Sequence, residues 1–441
     1  KFALNHGVLP MRRSGAMTLI AAQSRKSFRK ARPELEAAFG PVAAVYAPRG
    51  DICAAIARSH ALELAQKADR YTPGDQSYRT TSLSRIVVIT SLVLGLIAFL
   101  AVWAPGALAG GLVGWVVLTL VSITGLRTAG ALVQIGWARR LARDWRSRRA
   151  LSVPKDQLPG ISLLVPLFRE SDIFDSLVRR LERIDYPRDR LEALLILEQS
   201  DDQTRAALKD TPLPPWISVI SVPPGDIQTK PRALNYALDF AAGEIVGIYD
   251  AEDAPAADQL LLVAEAFAKA PRHVACLQGI LDFYNARETW LTRCFTIDYA
   301  AWFRLILPGL VQLGFTIPLG GTTVFLRRKV LEDIGRWDAH NVTEDADLGI
   351  RLARYGYRTR FIPSVTMEEA TSEVKPWVRQ RSRWIKGYAM TWAVHMRRPV
   401  QLFTDLGARR FWGFQTLFLG ALSQFLLAPL LWSFWLLMFG L

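Results

Sequence analysis

Cysteine is scarce in this chain of 441 residues, which has only Cys53, Cys276 and Cys294, far apart in the sequence. Their spacing fits neither a zinc site nor a disulfide framework, so we expect core thiols in a reducing compartment. The net charge is +14, but no nucleic-acid-binding motif of basic and aromatic residues accompanies it. Nucleic acid is therefore not an expected partner, and phosphate-rich ligands and an anionic membrane leaflet are better ones.

Apolar residues make up 51% of the chain, which is more than a soluble protein usually carries. Residues 86–104 contain no charge and are just long enough to cross a hydrocarbon core of about 30 Å as a helix. A second uncharged segment, residues 107–126, follows the short turn at Pro105-Gly106. This pattern predicts a transmembrane hairpin within residues 86–137.

Arginines flank the hairpin on one side of the membrane. They comprise Arg79 and Arg85 before it and Arg139, Arg140, Arg143, Arg146, Arg148 and Arg149 after it. Because basic residues accumulate on the cytoplasmic side, we expect a multi-pass protein of the inner membrane whose following domain lies in the cytoplasm. A plain solvated helix face is an equal alternative for the second arginine run beyond this topological role.

The remaining organisation is read from composition and periodicity. Residues 376–410 are expected to form interfacial helices and residues 411–441 a further transmembrane segment. The chain begins at Lys1 and stops at Leu441 inside an apolar run, so we expect both ends to be trimmed.

Residues 152–375 show the alternating pattern of an α/β domain. Buried strands are predicted at residues 161–166, 194–197, 217–222 and 245–249, with helices at 173–184 and 231–241 between them. Such alternation favours a Rossmann-like, doubly wound sheet, which binds its ligands at the carboxyl ends of the strands.

Residues 1–70 are predicted to form a separate small α/β unit, joined to the membrane hairpin by a polar linker at residues 71–85. The pattern indicates a hairpin, a helix, a strand and a second helix, at residues 8–22, 28–39, 42–46 and 51–66. The unit is basic, with Arg12, Arg13, Arg25 and Arg29 among its residues.

Three polar motifs carry the chemistry. Asp250-Ala251-Glu252-Asp253 directly follows a predicted strand and offers oxygen ligands to a divalent metal ion, although a short acidic motif alone is more often a solvated turn. Thr343-Glu344-Asp345 opens a predicted helix; its carboxylates suit a general base, and an ordinary N-terminal capping box around Thr343 is the alternative.

The third motif is Gln380-Arg381-Ser382-Arg383-Trp384. Guanidinium groups bind diphosphate in bidentate fashion, and a Trp ring suits the apolar face of a sugar. A basic and aromatic helix lying on anionic lipid is the alternative.

Taken in this order between two apolar regions, the motifs resemble the membrane-embedded inverting family 2 glycosyltransferases, the cellulose, hyaluronan and chitin synthase type. The resemblance covers residues 160–440 and implies a GT-A fold. It further implies transfer of a hexose from a UDP-sugar, UDP-glucose first, to a growing polysaccharide, with extrusion of the polymer across the membrane. Transfer to a lipid or protein acceptor, and a non-enzymatic adsorption or receptor component, are the alternatives.

The resemblance also implies residue roles. Asp345 would be the catalytic base, and Mg²⁺ or Mn²⁺ would be held by Asp250 together with Glu252 or Asp253. The donor would be bound by Glu198, Lys230, Asp250, Gln380 and Arg383, with Glu198 standing where the family usually has an aspartate near the uracil. The acceptor would be contacted by Trp384, Gly320, Gly321, Thr322 and Glu344, although tight strand packing explains the glycines equally well.

The first residues carry a separate, weak resemblance. Gly7-Val8-Leu9-Pro10, Leu19-Ile20-Ala21 and residues 52–56 are similar to the N-terminal domain of type II secretion and pilus ATPases. That similarity implies a cyclic di-GMP ligand for the unit at residues 1–70. A solvated basic surface or an assembly contact is the alternative.

Overall fold

A computed structural model describes residues 2–145, 153–170, 173–209, 211–430, 432, 433 and 439. The amino-terminal unit has a three-stranded sheet in the order β1-β2-β3, in which β1 and β2 form an antiparallel hairpin and β3 lies parallel to β2. Its elements are α1 (Phe2–His6), β1 (Val8–Ser14), β2 (Met17–Ala22), α2 (Arg25–Phe39), β3 (Val42–Tyr46) and α3 (Arg49–Ala68). The predicted hairpin, strand and helices are all present.

The segment expected to be a polar linker instead lies against the α/β domain predicted at residues 152–375. The Tyr71 hydroxyl donates to Asp239 at 2.8 Å, and the ring of Tyr71 lies 3.7 Å from the Arg336 guanidinium carbon. Further along, the hydroxyl of Ser77 and the backbone N–H of Tyr78 both donate to Asp338, at 2.7 Å each. The segment therefore fixes the amino-terminal unit to the domain that follows.

Two long helices follow, α4 (Leu83–Trp103) and α5 (Pro105–Trp145). The apolar side chains of α4 are exposed on every side, as expected for a helix that contacts lipid rather than protein. By length and composition three described helical stretches can cross a membrane: Leu83–Trp103, Pro105–Gly136 and Trp290–Gln312. The first two contain the predicted hairpin, and the third was not predicted. Of the arginine run, residues 146, 148 and 149 lie outside the described residues.

The α/β domain contains an eight-stranded sheet in the order β6-β5-β4-β7-β10-β9-β11-β8. Its strands are β4 (Ile161–Leu167), β5 (Leu191–Glu198), β6 (Ile217–Val222), β7 (Ile245–Ile248), β8 (Ala254–Pro255), β9 (Val274–Phe283), β10 (Val324–Arg327) and β11 (Arg358–Glu368). The first four are parallel, as the near-continuous apolar strands predict.

The other half of the sheet differs from a purely parallel arrangement. Strand β10 is antiparallel to both β7 and β9, whereas β11 pairs with β9 in parallel. The sheet is therefore the mixed α/β sheet of a GT-A-like glycosyltransferase fold, and the predicted fold class is confirmed. Because β10 runs antiparallel to β7, the loop that precedes it, residues 313–323, lies beside the carboxyl end of β7.

Helices cover the faces of this sheet. They are α6 (Phe174–Glu182), α7 (Asp202–Lys209), α8 (Lys230–Leu238), α9 (Gln259–Lys269), α10 (Trp290–Ala300), α11 (Leu307–Gln312), α12 (Arg328–Asp333) and α13 (Glu344–Arg354). A π-helical stretch, Ala301–Ile306, joins α10 to α11 without a break. Asp201 caps α7 by accepting from the backbone N–H of Thr204 at 3.1 Å.

The last part is helical. It contains α14 (Val374–His395), α15 (Pro399–Phe414), the π-helical stretch Gln415–Gly420 and α16 (Ala421–Leu426). Helix α15 bends at Gly407, whose φ of 72° lies in the left-handed region. The segment predicted to cross the membrane, residues 411–441, is described continuously only to residue 430. Its crossing of the membrane therefore remains a prediction.

Candidate active site

A cavity of about 380 Å³ lies at the carboxyl ends of the central strands and reaches the membrane helices. It is lined by residues from all three motifs, and it contains every predicted site residue except Glu198 and Asp253. Those that line it are Lys230, Asp250, Glu252, Gly320, Gly321, Thr322, Glu344, Asp345, Gln380, Arg383 and Trp384. Residues more than 150 positions apart in the sequence are thus brought to one site.

The turn after β7 shows which acidic residues face the cavity. Asp253 is only 2% exposed, and its Oδ2 accepts from the backbone N–H of Asp250 at 2.8 Å and from the Thr322 hydroxyl. Asp253 therefore stabilises the turn through these buried hydrogen bonds and does not face the cavity. Asp250 and Glu252 line the cavity, so Glu252 is the acidic neighbour that accompanies Asp250 there.

Lys230, at the start of α8, reaches across to the same turn. Its ammonium group pairs with Asp250 and also donates to the backbone carbonyl of Gly321 at 3.1 Å. Burial alone would lower the pKa of Lys230, but the negative charges of Asp250 and Glu344 raise it. The lysine therefore stays positively charged and is placed where an anionic donor group would meet Asp250.

Glu368, at the end of β11, adds a carboxylate that was not predicted. Met367 pairs with Ala254 across the β11–β8 ladder, so Glu368 lies opposite the acidic turn. Its Oε1 is buried without a hydrogen-bond partner. Burial, followed by the charge of Asp253, raises the pKa of Glu368 well above its usual range. The sequence signal was an acidic pair, Glu368-Glu369, directly after an alternating apolar strand.

The chemistry of this group fits a hard divalent cation. Burial and then the charge of Asp250 raise the pKa of Glu252, because several carboxylates share a site in which Lys230 is the nearest cation. Carboxylate oxygens are the ligands that Mg²⁺ and Mn²⁺ prefer. Among the described residues, however, no group of three or more His, Cys, Asp or Glu side chains has a metal-binding arrangement. Asp250 and Glu252 would therefore need oxygen atoms of the ligand to complete a coordination shell.

Asp345 lies on the opposite wall, in the first turn of α13. Its Oδ1 accepts from the backbone N–H of Ala346 at 2.8 Å, and a Cβ added to Gly321 would lie 3.3 Å from its Oδ2. Glycine at position 321 thus lets the carboxylate approach the loop closely. Burial raises the pKa of Asp345, whereas the charges of Lys230 and Arg383 lower it.

Thr343 does not form the capping box that was the alternative for this motif. Its side chain makes no capping hydrogen bond, and its backbone N–H donates to Asn341 Oδ1 at 3.0 Å instead. The reason is the packing of α14 against Thr343. A Cβ added to Gly387 would lie 2.2 Å from the Thr343 hydroxyl oxygen, so the backbone of α14 is in close contact with this side chain. The motif is fixed by the helix that carries Gln380 to Trp384. Neighbouring Glu344 has a pKa raised to about 7 by burial and by Asp345.

Helix α14 presents its polar residues to the cavity. Gln380 and Arg383 both line it, and Gln380 Oε1 is buried without a hydrogen-bond partner. A buried amide oxygen of this kind needs a partner, and a bound ligand is the natural one here. Arg383 is exposed to the cavity, where its guanidinium group is available to an anion.

Trp384 forms an aromatic wall together with residues of α10. Its ring centroid lies 6.1 Å from that of Phe295 and 6.3 Å from that of Tyr299. Arg381 holds this wall from behind, with its guanidinium carbon 4.9 Å from the Trp384 ring and an ion pair to Asp298 at 2.7 Å. Arg381 thus has a structural role. The sequence analysis did not predict that Phe295 and Tyr299 of α10 pack near Trp384, because they lie far from it in the sequence.

Glu198 ends β5 as predicted but lies beneath the cavity rather than in its lining. Arg232, which is fully buried, contacts Glu198 at 3.4 Å and Asp69 at 2.8 Å. Burial raises the pKa of Glu198 to about 7, although Arg232 opposes the shift. This buried cluster ties α8 to the end of α3, so the amino-terminal unit and the end of β5 share one charged partner.

The loop before β10 is organised by another residue that the sequence did not reveal. Gln278, fully buried on β9, accepts from the backbone N–H of Gly320 at 2.9 Å and donates to the carbonyl of Thr322 at 3.2 Å. Thr323 in this loop has a φ of 53°, which is rare for a β-branched residue. Gly320 and Thr322 are therefore held rigidly, with Thr322 bonded to the acidic turn.

The other end of the cavity is apolar and is formed by the candidate span Pro105–Gly136 and the last helices of the chain. It is lined by Ile123, Leu417, Leu422 and Phe425, with Arg127 and Trp302 at the boundary. The Arg127 guanidinium carbon lies 5.5 Å from the Trp302 ring centroid. The cavity thus connects a charged half with an apolar half formed by these helices.

Comparisons with known proteins agree with this geometry. Residues 245–441 match the family described as "Glycosyl transferase family group 2", so this part of the chain is similar to the family 2 glycosyltransferases. A "Probable glycosyltransferase YdaM" of Bacillus subtilis is 29% identical over 234 residues, covering 52% of this chain and 56% of that protein. The "Beta-monoglucosyldiacylglycerol synthase" of Trichormus variabilis is 28% identical over 296 residues, covering 65% of this chain and 59% of that protein.

Among solved structures, a mannosyltransferase of Pyrobaculum calidifontis in complex with GDP-Man and Mn²⁺ has 20% sequence identity and a TM-score of 0.47. That likeness covers 72% of this chain and 87% of the other. The chain spans little more than half the length of the two curated relatives. The prediction of a glycosyltransferase is confirmed at the level of this domain.

Proposed function

We propose that this protein is an inverting hexosyltransferase that uses a nucleotide sugar, UDP-glucose first, at the cytoplasmic end of the cavity. The observation that carries the proposal is the meeting of Asp250, Asp345 and the Gln380 to Trp384 helix in one cavity. An anionic donor fits there because Lys230 and Arg383 supply positive charge beside the acidic turn. A divalent cation held by Asp250 and Glu252 would neutralise charge on the leaving diphosphate.

In the proposed reaction Asp345 accepts the proton of an acceptor hydroxyl as its oxygen forms a bond to the anomeric carbon. The bond between that carbon and the diphosphate oxygen breaks on the opposite face, and the nucleoside diphosphate leaves with the electron pair. The partly buried carboxylate of Asp345 suits this task because its raised pKa makes it a better base than an exposed aspartate. Lys230, Gln380 and Arg383 would hold the diphosphate.

For the acceptor we propose a growing polysaccharide first. The wall formed by Trp384, Phe295 and Tyr299 offers an aromatic surface for the apolar face of a sugar ring. Glu344 and the loop at Gly320 to Thr322 would supply polar contacts. Extrusion of the polymer across the membrane belongs to the same proposal, as does placement of the protein as a multi-pass component of the inner membrane.

A membrane lipid is the second candidate acceptor. The apolar half of the cavity favours it, and so does the name of the Trichormus variabilis relative, a glucosyldiacylglycerol synthase. A hydroxyl on a lipid headgroup would reach Asp345 from the level of the membrane helices, past Arg127 and Trp302.

One experiment separates the acceptors. The protein, purified in detergent, is incubated with radiolabelled UDP-sugars, Mg²⁺ or Mn²⁺, and membrane lipids. Label in alcohol-insoluble polymer supports the polysaccharide, whereas label extracted into chloroform supports the lipid. Release of free sugar alone supports donor use without either acceptor. Absence of any turnover with every UDP-sugar would contradict the enzymatic proposal.

A further inference from the structure

A second, larger cavity of about 710 Å³ lies behind the catalytic one, and Phe303 lines both. Strand β9 borders both cavities: Leu277 and Ile280 line the second one, and Leu281 and Phe283 line the catalytic one. None of the predicted catalytic or binding residues lines the second cavity.

The charge of this cavity is entirely of one sign. Among its described lining residues there is no Asp or Glu, but there are five cations: Lys269, Arg304, Arg358, Arg360 and Arg410. Lys269 pairs with Glu265 and Arg304 with Asp282. The other three make no ion pair with any described carboxylate.

The three remaining arginines converge. Arg358 and Arg360 alternate along β11 and are both exposed, so they project from the same face of the strand. Arg410 reaches the cavity from α15, where its guanidinium group donates to the backbone carbonyl of Ala353 at 3.4 Å. Burial and the neighbouring charge of Arg358 lower the pKa of Arg410. Like charges brought together in this way are stabilised by an anion.

The rest of the lining is suited to an amphiphile at the membrane surface. Gln134 lies at the end of the candidate span Pro105–Gly136, and Pro308 and Gln312 belong to the candidate span Trp290–Gln312. Phe315 and Phe361 add apolar surface. The Thr316 hydroxyl, on a residue only 4% exposed, is buried there without a hydrogen-bond partner. A polar group of a ligand would satisfy it.

We propose that this cavity binds the phosphate headgroup of an anionic membrane lipid. The lipid phosphate lies among Arg358, Arg360 and Arg410, and its glycerol and upper acyl carbons lie against the apolar residues that continue into the membrane helices. Guanidinium groups are well matched to phosphate oxygens, and the cytoplasmic leaflet is rich in such lipids. The bound lipid holds the catalytic domain against the membrane surface.

The test measures binding of short-chain phosphatidylglycerol to the full chain in a neutral detergent, without any sugar nucleotide, so that it does not depend on the proposed function. Short-chain phosphatidylcholine and inorganic phosphate are the comparison ligands. We expect phosphatidylglycerol to bind and to raise the thermal unfolding temperature. The double variant R358Q/R360Q should bind it about 30-fold more weakly.

Two further variants make the result specific. R358K/R360K keeps both charges and should retain most of the binding, whereas R183Q removes an exposed arginine at the end of α6 that lines neither cavity and should bind as the wild type. Equal binding of phosphatidylcholine, or wild-type binding by R358Q/R360Q, would overturn the proposal. Full competition by inorganic phosphate would overturn the lipid assignment in favour of a soluble phosphate site.

Discussion

His395 Nε2 lies 3.0 Å from Asp347 Oδ1, and both side chains are completely buried. The other ring nitrogen, Nδ1, lies 3.1 Å from a guanidinium nitrogen of Arg354, which can only donate. His395 therefore carries its proton on Nε2 and donates it to Asp347. This hydrogen bond joins the helix of the proposed base, α13, to the helix of Gln380 and Arg383, α14.

Replacement of His395 by Asn should separate the two helices. We expect a loss of about 1–3 kcal/mol in the free energy of unfolding, because Asp347 loses a buried partner. We also expect kcat to fall more than the affinity for the donor, since Asp345 and Arg383 lose their alignment. Thermal unfolding and steady-state kinetics measure the two effects. The exposed His273→Asn serves as the control, and an H395N enzyme with wild-type kcat would contradict the positioning role.

Gly387→Ala tests the contact between α14 and the Thr343-Glu344-Asp345 motif. The added Cβ would lie 2.2 Å from the Thr343 hydroxyl oxygen, so one helix must move. We expect a cost of about 1–3 kcal/mol and a lower kcat. Gly50→Ala, where the added Cβ meets no atom within 4 Å, is the matched control. Equal stability and activity of the two variants would show that the helices are not closely packed here.

The charge cluster around Arg232 predicts that the amino-terminal unit supports the catalytic domain. Asp69→Ala leaves Arg232 buried with Glu198 alone, and we expect a loss of about 3 kcal/mol. Asp75→Ala, which removes a largely exposed partner of Arg398, should cost less than about 0.5 kcal/mol. Similar unfolding temperatures for both variants would argue that the unit is merely attached.

A cyclic di-GMP titration, with and without residues 1–68, tests the separate prediction that this unit is a sensor.

The pH dependence of kcat follows from Asp345. A base must be deprotonated to accept a proton, so kcat should rise with pH as Asp345 loses its own. Because burial raises the pKa of Asp345, this rise should lie above the ordinary aspartate value of about 4. Arg383→Gln removes a positive charge that lowers this pKa, so the rise should move to higher pH. Lys386→Gln, one turn further along α14 and outside the cavity lining, should leave it in place.

The sequence predicted the local elements and the residues of the cavity well, for physical reasons. Runs such as residues 161–166 and 194–197 are apolar because these central parallel strands are covered on both faces, and acidic motifs that follow strands meet at the edge of the sheet. The contribution of Glu252 and Asp253 was left open because two adjacent carboxylates differ only in which way the turn directs them. That direction depends on Thr322, which is distant in sequence.

Other features depend on packing between distant segments. Glu368, Gln278 and the aromatic residues of α10 enter the site through the pairing of β9, β10 and β11, and no local periodicity reveals that pairing. The capping box that was the alternative for Thr343 does not form, because Gly387 brings a second helix onto that side chain. The linker before the membrane proved to be docked because Asp338 and Arg336, far along the chain, supply its partners.

The central claim is that Asp345 removes the proton from the acceptor while Asp250 serves the donor and its metal ion. The most direct measurement compares Asp345→Asn and Asp250→Asn by UDP-glucose binding, with and without Mn²⁺, and by transfer of radiolabelled glucose. We expect D345N to bind UDP-glucose and Mn²⁺ like the wild type but to transfer at least about 100-fold more slowly, whereas D250N should lose the effect of Mn²⁺ on binding. A D345N enzyme that transfers glucose at the wild-type rate would contradict it.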